Sequence, residues 1–456
     1  MTDSTQISTS GRCTCSGAVG LVLLIALCVV SVVAQQGGSP LAKRTVVKPS
    51  AAGTKRFELI HPAASGIEFI NRFAGLEYYK NMVAHNGAGV AVGDVNGDDL
   101  ADIYLCNIQG DNALYLNQGN FRFRLATQTA GVAEEDKMST GSVLADVDND
   151  GDKDLLVNGI QSGTRLFLND GSGGFQLSEI SGLDSAGTTS SLALADIDGD
   201  GDLDLYVAHY IDRMYLADPT TGFEYSKRGD QWVVTRINGE STLKPKWKGR
   251  FTVSDTGRVR ELPEADRLYL NNADGTFRDV SAEPMFIVNG ELRALASFRE
   301  WGLAVTFRDV NNDLLPDLYV CNDFASPDRF WINQGNGTFE LVTHRNIRHT
   351  SRSSMGVDFT DLNADGVPDF MLLDMLDPDR ARRLVQLEKE IERSSRLLDW
   401  TYVPRFNRNV LMISQGGQQW FDTAYYSGVA ATAWSWNVRF LDADLDGDDD
   451  MLVTNG

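Results

Sequence analysis

An acidic nine-residue pattern, D-x-[DN]-x-D-x-x-x-D, stands at six places in this chain, each time running into a short apolar segment. Loop 1 is Asp94-Val95-Asn96-Gly97-Asp98-Asp99-Leu100-Ala101-Asp102, and loops 2 to 6 begin at Asp146, Asp196, Asp309, Asp361 and Asp442. Carboxylates crowded this closely repel by ~1 kcal/mol per pair in water, and by several times more where water is excluded. Repeating that cost in every loop makes sense if a hard cation sits in each one. Calcium fits best, because it takes about six to eight oxygen ligands in a forgiving geometry.

Alternate positions supply the expected ligands. They are Asp94, Asn96, Asp98 and Asp102 in loop 1, Asp146, Asp148, Asp150 and Asp154 in loop 2, and Asp196, Asp198, Asp200 and Asp204 in loop 3. Loop 4 offers Asp309, Asn311, Asp313 and Asp317, loop 5 Asp361, Asn363, Asp365 and Asp369, and loop 6 Asp442, Asp444, Asp446 and Asp450. The sixth position turns the chain back, and Gly151, Gly201, Gly366 and Gly447 suit it. Asp99 in loop 1 is tolerable there, since Asp visits left-handed backbone. Leu314 in loop 4 is not, so that site is expected to be the weakest or to turn differently. An EF-hand is excluded because its last carboxylate falls at the twelfth position between helices. Nonapeptide β-helix repeats follow one another directly, without intervening strands, and fail for that reason.

The flanks repeat too. Small and β-branched residues such as Gly87-Ala88-Gly89-Val90-Ala91-Val92 precede each loop, and segments such as Ile103-Tyr104-Leu105 follow it. Next come Leu114-Tyr115-Leu116-Asn117, a Gly-rich turn and a Phe. These return as Leu166-Phe167-Leu168-Asn169 with Phe175, Leu268-Tyr269-Leu270-Asn271 with Phe277, and Phe330-Trp331-Ile332-Asn333 with Phe339. Four short strands per unit separated by turns predict an all-β fold, a β-propeller with six calcium-loop blades visible. A blade buries its faces only against its neighbours, so the units stand or fall together.

Loop starts lie 52, 50, 113, 52 and 81 residues apart, and the long gaps are insertions or missed repeats. Between Asp196 and Asp309, Met214-Tyr215-Leu216 and Phe223 faintly echo the repeat, so residues 227–276 are either a degenerate blade or an insertion in blade 3. The insertion is preferred, because no strand-loop-strand core is visible there. Its Lys244, Lys246, Lys248 and Arg250 make a basic run that reads as a solvated hairpin or a partner-binding projection. In the later gap, residues 380–398 place Leu384, Leu387, Ile391 and Leu398 on one helical face, predicting an amphipathic helix packed on the rim.

Residues 17–34 form an uncharged apolar stretch ending in Val32-Val33-Ala34. Residues 1–34 read as a cleaved export signal or, less well, an uncleaved anchor. A lipoprotein cysteine at Cys28 is weak, because Leu27 stands where a small residue is wanted. Residues 35–55 read as a linker and 56–456 as the propeller, its last blade incomplete. The segment Phe57-Glu58-Leu59-Ile60 reads as a lone outer strand that closes the ring against the C-terminal end. The covered sequence is therefore expected to be a piece of a longer protein or a ring left incomplete.

A net charge of −22 argues against nucleic acid, which needs a basic face. Six divalent ions would bring −22 to −10, so much of the acidity reports the loops. Outside residues 1–34 only Cys106 and Cys321 remain, each four residues beyond the last Asp of its loop. They are expected to be buried thiols, since sites in non-adjacent blades lie too far apart for a disulfide.

The phrases Gly93-Asp94-Val95-Asn96-Gly97-Asp98 and Ala195-Asp196-Ile197-Asp198-Gly199-Asp200-Gly201 resemble the FG-GAP/VCBS repeats of integrin-α-like propellers. Four more resemble the cartilage acidic protein (ASPIC/UnbV) family: Cys321-Asn322-Asp323-Phe324, Asn336-Gly337-Thr338-Phe339, Ser354-Met355-Gly356-Val357-Asp358 and Trp434-Ser435-Trp436. The resemblance covers about residues 57–456. It implies an extracellular, calcium-binding propeller of seven blades, usually followed by an ASPIC/UnbV segment that this sequence does not contain. The seventh blade would then lie beyond Gly456 or be the degenerate one.

Two functions remain to be weighed. One is a calcium-stabilised extracellular scaffold that binds a protein or glycan, touching membrane only through the possible anchor. The other is a propeller enzyme, a lyase, hydrolase or quinoprotein, with an axial active site. His61, His85, His209, His344 and His349 form no ligand or catalytic spacing, and no G-x-S-x-G occurs. The non-enzymatic scaffold is therefore preferred.

Overall fold

The computed structural model describes residues 57–455, apart from 76–81, 388–402 and positions 185, 212, 255, 256, 325, 344 and 417. The export segment and linker lie outside these residues. Six units recur in the order the loops predict, and the strands within each are lettered a to d here. Blade 1 comprises Val90–Gly93, Asp102–Leu105, Ala113–Asn117 and Phe123–Leu125. Blade 2 comprises Ser139–Ala145, Asp154–Gly159, Gly163–Asn169 and Phe175–Leu177. Blade 3 comprises Thr189–Ala195, Asp204–His209, Arg267–Asn271 and Phe277–Asp279. Blade 4 comprises Gly302–Arg308, Asp317–Asn322, Arg329–Asn333 and Phe339–Leu341. Blade 5 comprises Gly356–Thr360, Asp369–Leu373, Val410–Ser414 and Trp420–Asp422. Blade 6 has two strands, Ser435–Leu441 and Asp450–Asn455.

Each acidic loop joins strand a to strand b. Register is strict there; in blade 2, for example, Ala145 pairs with Asp154 and Val143 with Leu156. The strand period of two then sends alternate residues to opposite neighbours. In strand b of blade 2, Leu155 and Val157 join the core with blade 1, around Tyr104 and Leu114. Leu156 joins the core with blade 3, around Leu205 and Val207. The same split recurs in blade 4, where Leu318 and Val320 pack toward blade 3 and Tyr319 and Cys321 toward blade 5. A strand buried on both faces is what two flanking blades require, and it explains the unbroken apolar runs after each loop.

Because the strands alternate in direction, the a–b loops and c–d turns share one face, and the b–c and d–a connections the other. On that second face Met82, Ile108, Ile160, Tyr210, Trp301 and Met355 form one apolar cluster fed by strand ends of successive blades. Both large insertions are b–c connections. The first leaves blade 3 after His209 and returns at Arg267, which pairs with Val207. A degenerate blade at 227–276 is thereby excluded. The insertion builds its own sheets, Phe223–Arg228 with Gln231–Ile237 and Phe251–Val253 with Val259–Glu261, around Val234, Ile237 and Trp247. Its basic run is largely matched, since Lys244 and Lys246 each lie 2.5 Å from a Glu240 oxygen and Arg250 lies 3.2 Å from Glu261.

Two expectations need correction. Phe57–Ile60 form no strand, and Phe57 and Leu59 are exposed. Pro62, which lacks a backbone donor, instead opens a short helix, Pro62–Ser65, capped by His61. Residues 70–74 then run beside blade 1, where the Arg72 and Ala74 N–H groups donate to the Asn107 and Gln109 side chains. In the second insertion a helix does form, at Arg380–Leu387, with Asp379 accepting from the Ala381 and Arg382 N–H groups at its start. Leu384 on its apolar face is nevertheless 61% exposed, so the rim does not bury it. Ile391 and Leu398 lie outside the described residues.

Cys106 and Cys321 are buried free thiols, as expected. Burial pushes the Cys106 thiol up to about 12.

Candidate metal centres

The six loops share one backbone frame built on their first aspartate. In every loop the N–H at position six donates to that carboxylate. Examples are Asp99 to Asp94 at 2.7 Å, Gly151 to Asp146 at 3.0 Å and Gly447 to Asp442 at 3.0 Å. The N–H at position seven likewise donates to the fifth-position carboxylate, as from Asp152 to Asp150 at 2.9 Å. Leu314 adopts the same turn as the glycines, at φ +70°, and its N–H reaches Asp309 at 2.8 Å. Loop 4 therefore does not turn differently; it carries the left-handed strain with its side chain 90% exposed.

In loops 1 to 5 the ninth aspartate is held by two backbone N–H groups from two different segments. One oxygen of Asp154 accepts the N–H of Val147 in its own loop at 3.0 Å, and the other accepts that of Asn169 on strand c at 2.9 Å. Asp102, Asp204, Asp317 and Asp369 repeat this pair of bonds, to Asn117, Asn271, Asn333 and Ser414 on their respective strands c. All five are buried. Burial raises their pKa, to about 6 for Asp154 and about 7 for Asp204 and Asp317. The two N–H bonds offset part of the rise, and neighbouring loop carboxylates add to it. A divalent cation would hold these groups ionised at neutral pH.

Among the described residues, three sets of carboxylates bring ligand atoms within 4.8 Å of one another: Asp146, Asp148 and Asp154; Asp196, Asp198 and Asp204; and Asp442, Asp444 and Asp446. These are loops 2, 3 and 6, the ones with aspartate at position three. Asp150, Asp200 and Asp450 stand outside the sets. In loops 1, 4 and 5 the third position is Asn, and its amide donates to the fifth carboxylate, from Asn96 to Asp98, Asn311 to Asp313 and Asn363 to Asp365. The donor set fits a hard cation. It is all oxygen and anionic, and the buried Asp146 Oδ1 has no hydrogen-bond partner, an orphaned acceptor that an ion would satisfy.

The remaining ionisable groups make fewer claims. His209 is buried, with its pKa pushed down to about 4 by burial. His349 and Arg408 both contact Asp422, which stays down at about 2 because those contacts and the Ala424 N–H outweigh its burial. Two carboxylates outside the loops, the buried Asp266 and the half-buried Asp328, tie strand b to the start of strand c. Asp266 accepts from Tyr206 and the His209 N–H, and Asp328 from Tyr319, Ser354 and the Asn322 N–H. The sequence reading missed the asparagines that end strands c, although their return in Leu-Tyr-Leu-Asn and its variants was visible.

The FG-GAP-like repeat family matches residues 94–157, 146–207 and 309–372, so the chain carries FG-GAP-like repeats. Over 82 residues it is 35% identical to cartilage acidic protein 1 of Mus musculus, covering 18% of this chain and 13% of that protein. It is 34% identical to the Homo sapiens protein over 82 residues, which is 18% of this chain and 12% of the relative. The chain is thus matched to only a small part of these relatives' length. Among solved structures, the V. cholerae biofilm matrix protein Bap1 is 10% identical, with a TM-score of 0.31 over 81% of this chain and 66% of Bap1. An overlap that loose adds nothing to the strand order itself.

Proposed function

We propose that this chain, a propeller of FG-GAP-like repeats, is a calcium-stabilised extracellular scaffold that binds a protein or glycan rather than an enzyme. The observation that carries the metal reading is the convergence of three carboxylates at loops 2, 3 and 6, with Asp146 Oδ1 left unsatisfied. Loops 1, 4 and 5 would hold their ions with three aspartates and an Asn oxygen each. Bound calcium neutralises the crowded carboxylates. What the chain contributes is a fixed frame, in which the first and ninth aspartates are already held by backbone N–H groups before an ion arrives. Such preorganisation lowers the ordering cost of binding.

The scaffold role draws on how the two faces are used. One carries the acidic loops, and the other carries two long insertions and the apolar cluster around Tyr210 and Trp301. Loops and insertions borne on a rigid frame are where binding residues are usually placed. At Kd ~10⁻⁴ M and free calcium ~10⁻³ M, each ion adds ~1.4 kcal/mol, and a set of six roughly 8 kcal/mol. Elemental analysis of purified chain should therefore find about six calcium ions, and excess chelator should lower the melting temperature sharply. Metal-free protein whose melting temperature ignores chelator would refute the reading.

A further inference from the structure

Asn169, Asn271 and Asn333 hold the same place at the end of strand c, and each makes the same bonds in two blades at once. The Asn169 N–H donates to Asp154 in its own blade, while its side-chain amide donates to the Val95 carbonyl in loop 1 at 2.9 Å. The Asn271 N–H goes to Asp204 and its amide to the Val147 carbonyl in loop 2 at 2.9 Å. The Asn333 N–H goes to Asp317 and its amide to the Ile197 carbonyl in loop 3 at 2.9 Å. Each receiving residue closes the circuit through its own N–H, from Val95 to Asp102, Val147 to Asp154 and Ile197 to Asp204, all at 3.0 Å. An unbroken line of hydrogen bonds therefore joins the ninth carboxylates of loops 1, 2, 3 and 4. Its members, from Val95 to Asn333, are buried, so no water replaces a bond that is lost.

Resting on the calcium reading above, we infer that loops 1 to 4 take up calcium as a coupled set. Asn169, Asn271 and Asn333 are the positioning residues that carry the occupancy of one loop to the next. An ion that orders the ninth carboxylate of loop 3 orders the Asn271 N–H bonded to it. The amide of that same side chain fixes the carbonyl of Val147, the second residue of loop 2, whose N–H holds the ninth carboxylate there. Networks of this kind share their ordering cost, so the second ion binds to a loop already partly set.

The line has ends that serve as controls. In blade 5 Ser414 takes the asparagine's place; its N–H keeps Asp369, but its hydroxyl accepts from Gly416. Loops 4 and 5 meet instead through an exposed bond from Asn312 to the Gly366 carbonyl. In blade 1 the Asn117 amide makes the bond within its own loop, to the Ala101 carbonyl, that the other three asparagines also make to Lys153, Leu203 and Pro316, and among the described residues it reaches no second loop.

Equilibrium dialysis of the full chain with radiolabelled calcium tests this. The intact protein should bind with a Hill slope above one. Asn271→Ala should keep the number of ions, bring the slope toward one and weaken half-saturation about fivefold or more, since it removes the buried bond to Val147 together with the side-chain bonds to Leu203 and Ala273. Asn117→Ala should keep the slope. A slope of one in the intact chain, or a slope unmoved in Asn271→Ala, overturns the coupling and leaves the calcium reading standing; no bound calcium at all overturns the reading beneath it. Should Asn271→Ala not fold, hydrogen exchange at saturating calcium decides on the otherwise intact chain. Asp309→Ala in loop 4 should speed exchange in loop 3, whereas Asp361→Ala in loop 5 should leave loop 4 as it was. Equal spread in both directions rejects the asparagine route.

Discussion

Loops 3 and 6 carry the same acidic pattern without a single substitution, yet the fold treats them differently. In loop 3 the ninth residue, Asp204, is fully buried and held by Ile197 and Asn271, and it joins Asp196 and Asp198 in the carboxylate set. In loop 6 the ninth residue, Asp450, is exposed and among the described residues accepts the one bond from Ala443. The set there is Asp442, Asp444 and Asp446 instead. In blade 3 strand c covers and pins the ninth carboxylate, whereas the described strands of blade 6 are its first two, beside which Asp450 lies open. A motif of nine residues thus specifies a turn, while a neighbour 67 residues away pins its ninth carboxylate.

The sharpest way to break this contrast is to remove the two ninth carboxylates. Asp204→Ala strands two buried N–H groups, at ~1–3 kcal/mol each, and should destabilise the calcium-saturated chain by about 3 kcal/mol in chemical denaturation. A loss below about 1 kcal/mol would mean that strand c does not depend on that carboxylate.

A pH series on metal-free chain sharpens the electrostatic side. Asp154, Asp204, Asp317, Asp266 and Asp328 all titrate near 6 to 7 when folded, raised chiefly by burial. Unfolded aspartate titrates near ~3.9. The folded state therefore binds more protons between these values, and its stability should fall as pH rises from 5 to 8. Calcium should remove the share due to Asp154, Asp204 and Asp317 and leave that of Asp266 and Asp328, outside the loops. A melting temperature that climbs over this range without metal would contradict the burial argument.

Smaller still is the effect of the strained turn. Leu314→Gly relieves a left-handed leucine and should stabilise loop 4 by about 1 kcal/mol and tighten its calcium binding, read by melting temperature and calorimetry. No gain would mean that the exposed leucine has another use. Smallest is Asp450→Ala, which should shift stability by no more than about 0.5 kcal/mol, because an exposed side chain leaves little unsatisfied when it is removed. A shift as large as that of Asp204→Ala would erase the distinction between the two loops.

Much of this was legible beforehand because it is local. The period-two runs after each loop, the turn residues at position six and the recurring phenylalanine predict strands, loops and blades from neighbours a few residues apart. The insertion in blade 3 was favoured from the lack of a strand-loop-strand core, and the pairing of Arg267 with Val207 agrees. The Phe57 segment was misread because apolar composition alone does not make a strand, and Pro62 just after it opens a short helix instead.

The sequence by itself determined where the chain turns and where carboxylates crowd, since both depend on backbone preference and short spacing. Only the tertiary structure decided which carboxylates are buried, which converge and which asparagines join one loop to the next. Those properties arise when strand c of one blade lies against the loop of another, a contact between residues as far apart as Ile197 and Asn333. Burial and hydrogen-bond satisfaction are set by such non-local neighbours, and no pattern within nine residues contains them.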